Sequence, residues 1–382
     1  MRYRLRQVQI AHRHGDRTPL WNAFAGSKAE ERIETERWMK KVPSHTKLSD
    51  LCSKYVTVSE LPKIAPNRLF CDTFGRLTSI GMQQLMDRGA QLRHSLFQHD
   101  ADGTFFSQLE PENVLIYANS HERTQLSAKA LLLGLLHVEK KLFPLHINLL
   151  PSEQDFLNRY AVHSELVEMK AAMEKTDLKL RTREAEMQCV REKLCDSLPI
   201  FSHKKHKFVW MIAADYCTCR ISHELPLISG IEDIHRETIE HLSFRFQRFY
   251  SDPAILYLVA GGIMERIHTH ILQAVNRSDG LNAHLVAFSG HDVTLLAILN
   301  FLGASVVREK SWWPEYGTAI AFQVVESEDG ECFVRLEMNG ELIQLNNGSP
   351  AFMPVEAFCS MIKDRMISIK LQAGISHELY SE

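Results

Sequence analysis

The chain has 382 residues, 45% hydrophobic and 24% charged, with a formal net charge of −3. That is the composition of a globular protein, long enough for two domains or for one core with a large insertion. No global basic field exists to hold nucleic acid and no Lys/Arg-rich run stands out. The most apolar run, residues 131–136, falls far short of the ~20 residues of a membrane span, so no integral membrane segment is expected.

Met1-Arg2-Tyr3-Arg4 leads straight into the first predicted strand, with no apolar region of a targeting peptide. A cytoplasmic location is expected, the alternative being a lysosomal or secreted protein whose sequence starts at the mature domain. The cysteines (Cys52, Cys71, Cys189, Cys195, Cys217, Cys219, Cys332, Cys359) never form C-x-x-C, and scattered free thiols are expected. Asn276-Arg-Ser and Asn347-Gly-Ser fit the glycosylation pattern, which carries no weight without a secretion signal.

The first predicted element is a half-buried strand over residues 5–10, with Leu5, Val8 and Ile10. The cluster Ala11-His12-Arg13-His14-Gly15-Asp16-Arg17-Thr18-Pro19 then reads as an anion site in a loop, because buried charges in a strand would need partners. Arg13 and Arg17 offer planar forks that match phosphate oxygens. His14 suits a nucleophile or base, and Gly15 would let backbone approach a ligand. Residues 20–76 read as a largely irregular excursion broken by Trp21, Pro43, Pro62 and Pro66. Ile80, Leu85, Met86, Leu92 and Leu96 predict a helix over 78–99. A buried strand is predicted over 113–117 and an Ala/Leu-rich helix over 124–137.

Residues 163–206 differ in kind, being charged, helix-prone and poor in glycine. They predict a mainly helical insertion, its methionines serving as packing. The later chain returns to α/β character, with a strand over 284–288, a helix over 292–302 ended by Gly303, and strands over 317–326 and 331–338 around an Asp329-Gly330 turn. A last helix is predicted over 354–366. The expected organisation is an α/β core of residues 1–150 and 251–382 with a helical insertion over 151–250.

Strand, polar cluster and helix recur three times: at 12–17, at Asn119-Ser120-His121-Glu122-Arg123-Thr124, and at Ser289-Gly290-His291-Asp292. In an open parallel sheet the strands end on one edge, so the three clusters are expected to converge there, aided by two helix N-termini. Arg13, Arg17 and Arg123 supply three cations suited to a phosphoryl group. Asp292 can carry a proton to a leaving oxygen. Three arginines would repel a metal from His12, His14, His291 and Asp292, so no metal is expected. His121 and Glu122 lie close enough to Arg123 to touch a substrate, although capping or solvating the loop is the first reading, and His12 reads as a packing residue.

Arg13-His14-Gly15-Asp16-Arg17-Thr18-Pro19, Arg123-Thr124 and His291-Asp292 resemble the histidine acid phosphatase family, branch 2 of the histidine phosphatase superfamily. The helix from Leu77-Thr78 through Gly81, Gln84 and Gly89 to Leu92-Arg93 resembles that family's L-T-x-x-G-x-x-Q-x-x-x-x-G-x-x-L-R pattern. The resemblance implies a phosphoglycerate-mutase-like three-layer α/β core with a mainly parallel sheet and an inserted helical cap. It also implies metal-independent phosphomonoester hydrolysis without a cofactor. His14 would be the nucleophile and form a phosphohistidine, and Asp292 would be the proton donor. Arg13, Arg17, Arg123 and His291 would bind the phosphate. Because the acid must be protonated, activity is expected on the acidic side of neutral. Where the family carries R-S-T-D, this chain has Tyr117-Ala118-Asn119-Ser120. The family's C-terminal disulfide segment is replaced by a cysteine-free stretch over 348–354, and Cys219 sits at a family disulfide position whose partner region has no cysteine. The spacer before Leu77, with His291-Asp292-Val293-Thr294 and Trp313-Pro314, most resembles the lysophosphatidic-acid phosphatase (acid phosphatase type 6-like) subgroup. The alternatives are a phytase or sugar-phosphate phosphatase, a mutase or bisphosphatase, and a non-catalytic phosphate-binding protein. Oligomeric state is not legible.

Overall fold

The structure is a computed structural model, and its described residues are 3–53, 73–98, 100, 103–136, 145–276, 283–309, 312–345, 348 and 350–374. Cys71, both glycosylation patterns beyond Asn276 and Gly348, and the predicted ends of two helices at residues 99 and 137 lie outside them.

The first half runs β1 (Tyr3–Arg13), α1 (Lys28–Met39), α2 (His45–Ser53), α3 (Ser79–Phe97), β2 (Val114–Ala118), α4 (Glu122–Leu136) and β3 (Ile147–Leu149). A helical stretch follows: α5 (Arg159–Val162), α6 (Ser164–Thr176), α7 (Leu178–Glu186), α8 (Gln188–Ser197), α9 (Pro199–Ser202), α10 (Trp210–Ser222) and α11 (His235–Phe249). The chain continues with α12 (Pro253–Asn276), β4 (Leu285–Gly290), α13 (Asp292–Leu302), β5 (Ala319–Ser327), β6 (Cys332–Met338), β7 (Glu341–Leu342), β8 (Met353–Pro354) and α14 (Val355–Gln372).

The strands form one mixed sheet in the order β3-β2-β4-β1-β5-β6-β7, with β8 on β6. β3, β2, β4 and β1 are mutually parallel. β5 runs against β1, and β6 turns back to the common direction. The fold is a three-layer α/β core with a mostly parallel sheet and a helical insert. Period-two alternation divides the sheet between two cores. Ile10, Ile116, Leu285 and Ala287 pack under α3 and α4. Ala11, Val286, Phe288 and Phe322 pack under α12, α13 and α14. The second core runs unbroken into Leu166, Leu180, Val190 and Trp210, so the helical stretch shares its buried surface with the sheet.

Four expectations need correction. β1 continues through His12 and Arg13, both buried, because Arg13 finds partners there. Among the described residues of 20–76 the chain is not mostly irregular, since α1 and α2 occupy more than half of them; Pro62 and Pro66 lie outside the described residues. α1 carries almost no apolar period, and only Glu34 and Trp38 are buried, Glu34 pairing with Arg220 at 2.6 Å. α12 has no counterpart in the sequence reading: Gly261-Gly262 interrupts its pattern. Burial of Ile255, Val259, Ile263 and Ile267 outweighs the helix penalty of the two glycines, about 1 kcal/mol each. The short strands β3, β7 and β8 also have no sequence signal.

Candidate active site

Register brings the three motifs together. Arg13 stands opposite Gly290, and Ala118 opposite Ser289. The residues just beyond these strand ends, His14, Asn119 and His291, therefore emerge side by side. The His14 N–H donates to the Gly290 carbonyl at 3.0 Å, and the His14 and His291 rings meet edge-on at 5.3 Å. Arg123 sits in the first turn of α4 and Asp292 in the first turn of α13. All six predicted site residues thus share one region at the carboxyl edge of the parallel strands.

The loop that carries His14 is held from beneath. A Cβ on Gly15 would lie 2.3 Å from the Gly81 carbonyl oxygen, and one on Gly81 would lie 2.1 Å from the Asp16 oxygen. These glycines let the loop rest on the start of α3, so the structure gives Gly15 a packing role where ligand approach was expected. The Asp16 N–H donates to Gln84 Oε1 at 2.9 Å. The Asp16 carboxylate is fully buried and accepts from Thr78 Oγ1 at 2.5 Å, His223 Nε2 at 2.6 Å and the Ser222 hydroxyl. Thr78 caps α3, so one loop is fastened to α3 and to the end of α10 together.

His14 Nδ1 lies 2.8 Å from the Gly15 carbonyl oxygen, which can only accept, so Nδ1 carries the proton and Nε2 the lone pair. Burial, followed by Arg123, His291, Arg13 and Arg17, holds its pKa well below the ordinary value. Burial and the arginines thus favour the neutral imidazole, which is the nucleophilic form. His291 is depressed in the same way, by burial and then Arg123 and His121. Its Nε2 accepts from the Asn119 side-chain amide at 2.9 Å, an orientation set by the His121 N–H on Asn119 Oδ1.

Three guanidiniums meet two carboxylates. Arg13 pairs with Asp292 at 2.9 Å and donates to the Pro314 carbonyl at 2.5 Å, its face over the Tyr316 ring at 4.1 Å. Arg17 pairs with Asp215 of α10 at 2.7 Å. Among the described residues, Arg123 has no carboxylate partner and donates only to the Gly75 carbonyl at 3.4 Å; burial and Arg17 lower its pKa to about 9. The Nε–H groups of all three are buried without an acceptor among the described residues. Converging unpaired donors with a surplus positive charge suit an oxyanion bearing two charges. Among the described residues, no group of three or more His, Cys, Asp or Glu has the geometry to hold a metal ion.

Asp292 Oδ2 also accepts from Trp313 Nε1 at 3.3 Å. Above the phosphate donors a cleft of about 730 Å³ opens, walled by Leu20, Trp21, Phe74, Tyr160, Met211 and Val293. Arg76 reaches this cleft but pairs with Glu122 at 3.2 Å. His121 and Glu122 line it too, the His121 ring edge-on to His291 at 5.2 Å. His12 is buried in the sheet with its pKa lowered to about 4 by burial, as a packing residue would be. Sequence reasoning missed Asp215, Tyr316 and the support from Asn119. Asp215 and Tyr316 belong to no motif, and Asn119 was legible only as a departure from one.

The histidine phosphatase superfamily (branch 2) matches residues 4–339 of the sequence. The chain belongs to that family. It is a histidine acid phosphatase, a phosphoric monoester hydrolase. Lysophosphatidic acid phosphatase type 6 from Pongo abelii is 24% identical over 370 residues, 92% of this chain and 81% of the relative. The Homo sapiens protein of that name is also 24% identical, over 93% of this chain and 82% of its own length. 2-Phosphoxylose phosphatase 1 from Xenopus tropicalis is 24% identical over 96% of this chain and 75% of its own. Among solved structures, the Klebsiella sp ASR1 phytase superposes with a TM-score of 0.59 at 13% identity, covering 100% of both chains. The Hafnia alvei phytase in complex with myo-inositol hexakis sulphate also gives 0.59, at 14% identity over 95% of this chain and 97% of that one. At such identities the likeness is one of fold.

Proposed function

We propose that this histidine acid phosphatase hydrolyses its substrate through a phosphohistidine on His14. The observation that carries the proposal is the His14 ring, its Nδ1 proton fixed on the Gly15 carbonyl at 2.8 Å and its Nε2 lone pair left free beside three arginines. Nε2 attacks phosphorus as the ester P–O bond breaks, and the Asp292 carboxyl gives its proton to the departing oxygen. Arg13, Arg17, Arg123 and His291 hold the phosphoryl oxygens. Water then attacks the P–N bond, Asp292 takes a water proton, and phosphate leaves with the imidazole restored. Quenching in alkaline detergent during turnover should trap an acid-labile, base-stable phosphoenzyme, absent from His14→Ala; wild-type turnover without it would remove the covalent step.

We infer an alkyl phosphate with an apolar leaving group, of the lysophosphatidate kind, as the substrate. The apolar cleft wall supports this, as do the names of the lysophosphatidic acid phosphatases that the chain resembles. A many-phosphate substrate would call for further free cations, and Arg76 is already committed to Glu122. Turnover across lysophosphatidate, sugar phosphates, phytate and phosphotyrosine tests this, and a preference for phytate would reverse it. The inference extends to residues 151–250 acting as the cap, since Tyr160 and Met211 face the cleft. A reducing, cytoplasmic setting is supported by the free thiols of Cys52, Cys189, Cys195, Cys217, Cys219 and Cys359.

A further inference from the structure

His203-Lys204-Lys205-His206-Lys207 is a local concentration of basic residues that does not stand out as a Lys/Arg run, since only three of the five are Lys or Arg. All five are exposed, and none of the three lysines pairs with a carboxylate among the described residues. The loop is nevertheless well formed. The N–H groups of Lys205 and His206 both donate to the Ile200 carbonyl, at 3.1 and 3.0 Å. Its base is an aromatic stack in which Phe208 meets Phe201 at 5.1 Å and Trp210 at 4.9 Å.

Its position gives the charge a direction. The Ile200 N–H donates to the Ala23 carbonyl at 2.9 Å, tying the loop to the segment that walls the catalytic cleft. The His206 ring meets Trp21 edge-on at 5.9 Å, and Trp21 lines the cleft while remaining 38% exposed. Val209, at the far end of the loop, is 41% exposed. Unpaired lysines beside an exposed tryptophan and an exposed aliphatic residue form a surface with one charged and one apolar component. Tryptophan favours the headgroup level of a bilayer, and lysine the surface of an anionic leaflet. Nucleic acid would call for a longer basic track than one five-residue loop in a chain of net charge −3. No helix among the described residues is long and apolar enough to cross a membrane, so such a contact would be peripheral.

We propose that loop 203–207, with Trp21 and Val209, docks the protein on an anionic phospholipid bilayer and sets the cleft mouth against the lipid surface. Binding is separable from the chemistry assigned to His14, so the test is made on both wild type and His14→Ala. Each is sedimented with phosphatidylcholine vesicles that contain or lack phosphatidylserine. Both proteins should pellet with the anionic vesicles and stay in solution with the neutral ones. A Lys204→Asn/Lys205→Ser/Lys207→Ser variant should lose partitioning on the order of 100-fold, since each lysine near an anionic leaflet contributes roughly fivefold; asparagine suits the positive φ of residue 204. Its turnover of a soluble aryl phosphate should be unchanged. Raising salt should weaken wild-type binding. Equal sedimentation of the variant, indifference to phosphatidylserine, or binding to RNA without any vesicle preference would each overturn the proposal.

Discussion

Arg13 and Asp292 face each other as an ion pair, Nη2 to Oδ2 at 2.9 Å, so the residue expected to grip phosphate also grips the residue expected to supply the proton. A phosphate entering the site competes with Asp292 for the same guanidinium. As Arg13 turns to the substrate, Asp292 loses its cation beside a newly arrived negative charge.

Asp292→Ala should slow alkyl phosphates far more than nitrophenyl phosphate, whose leaving group departs without a proton. General acid catalysis contributes ~10²–10⁴-fold, so the alkyl-to-aryl turnover ratio should fall by that order. An unchanged ratio, with chemistry limiting for both substrates, would show that Asp292 is not the leaving-group acid.

Asn119→Ala removes the amide that holds His291 Nε2. An unmade buried hydrogen bond costs about 1–3 kcal/mol, and a small displacement of a positioning group costs up to about 10²-fold in rate. We expect kcat to fall by roughly 10–100-fold with KM changed much less. Steady-state kinetics with a thermal melt would show it, and full activity in a folded variant would remove Asn119 from the positioning scheme.

Gly81→Ala and Gly89→Ala should part company. The first places a Cβ 2.1 Å from the Asp16 carbonyl oxygen beneath the His14 loop, the second 2.0 Å from the Leu131 oxygen where α3 crosses α4. Each crowding costs roughly 1–3 kcal/mol. Per folded molecule, Gly81→Ala should lose most of its turnover and Gly89→Ala little. Comparing specific activity with the folded fraction by circular dichroism distinguishes the two.

Acid should weaken the fold. His12 titrates at about 4 in the folded state and near 6.5 when unfolded, and burial also depresses His14 and His291. Below pH ~6.5 the unfolded chain takes up protons that the folded chain refuses, so this stability is present above 6.5 and lost as pH falls toward 4. Each pH unit between the two titration points is worth about 1.4 kcal/mol, so His12 alone accounts for roughly 3 kcal/mol. Saturating inorganic phosphate should flatten the decline, because it offsets the arginine charges acting on His14 and His291. Melting temperatures from pH 7 to 4, with and without phosphate, provide the check. A flat profile contradicts the assignment.

The sheet and the catalytic cluster were legible because their signals are local. An apolar run as short as residues 285–288, rich in β-formers, reads as a strand buried on both faces, and charged clusters after strands mark a shared edge. Asp215 was invisible because it acts from a helix remote in sequence, and nothing near it announces Arg17. Arg13 was placed in a loop because a buried guanidinium without visible partners is implausible, and its partners, Asp292 and Pro314, lie some three hundred residues away. α12 was hidden by its paired glycines, which only the packing of its aliphatic residues overrides.

The buried Asp16 carboxylate, shared by donors from α3 and from the end of α10, also bears on how substrates arrive. The helical stretch cannot swing away from the nucleophile's loop without stripping a fully desolvated charge of its partners, a rearrangement costing several kcal/mol. The doorway between them is therefore a rigid aperture, not a shutter. A wider leaving group should therefore be admitted by trimming the frame at Trp21 or Tyr160 rather than by loosening a hinge.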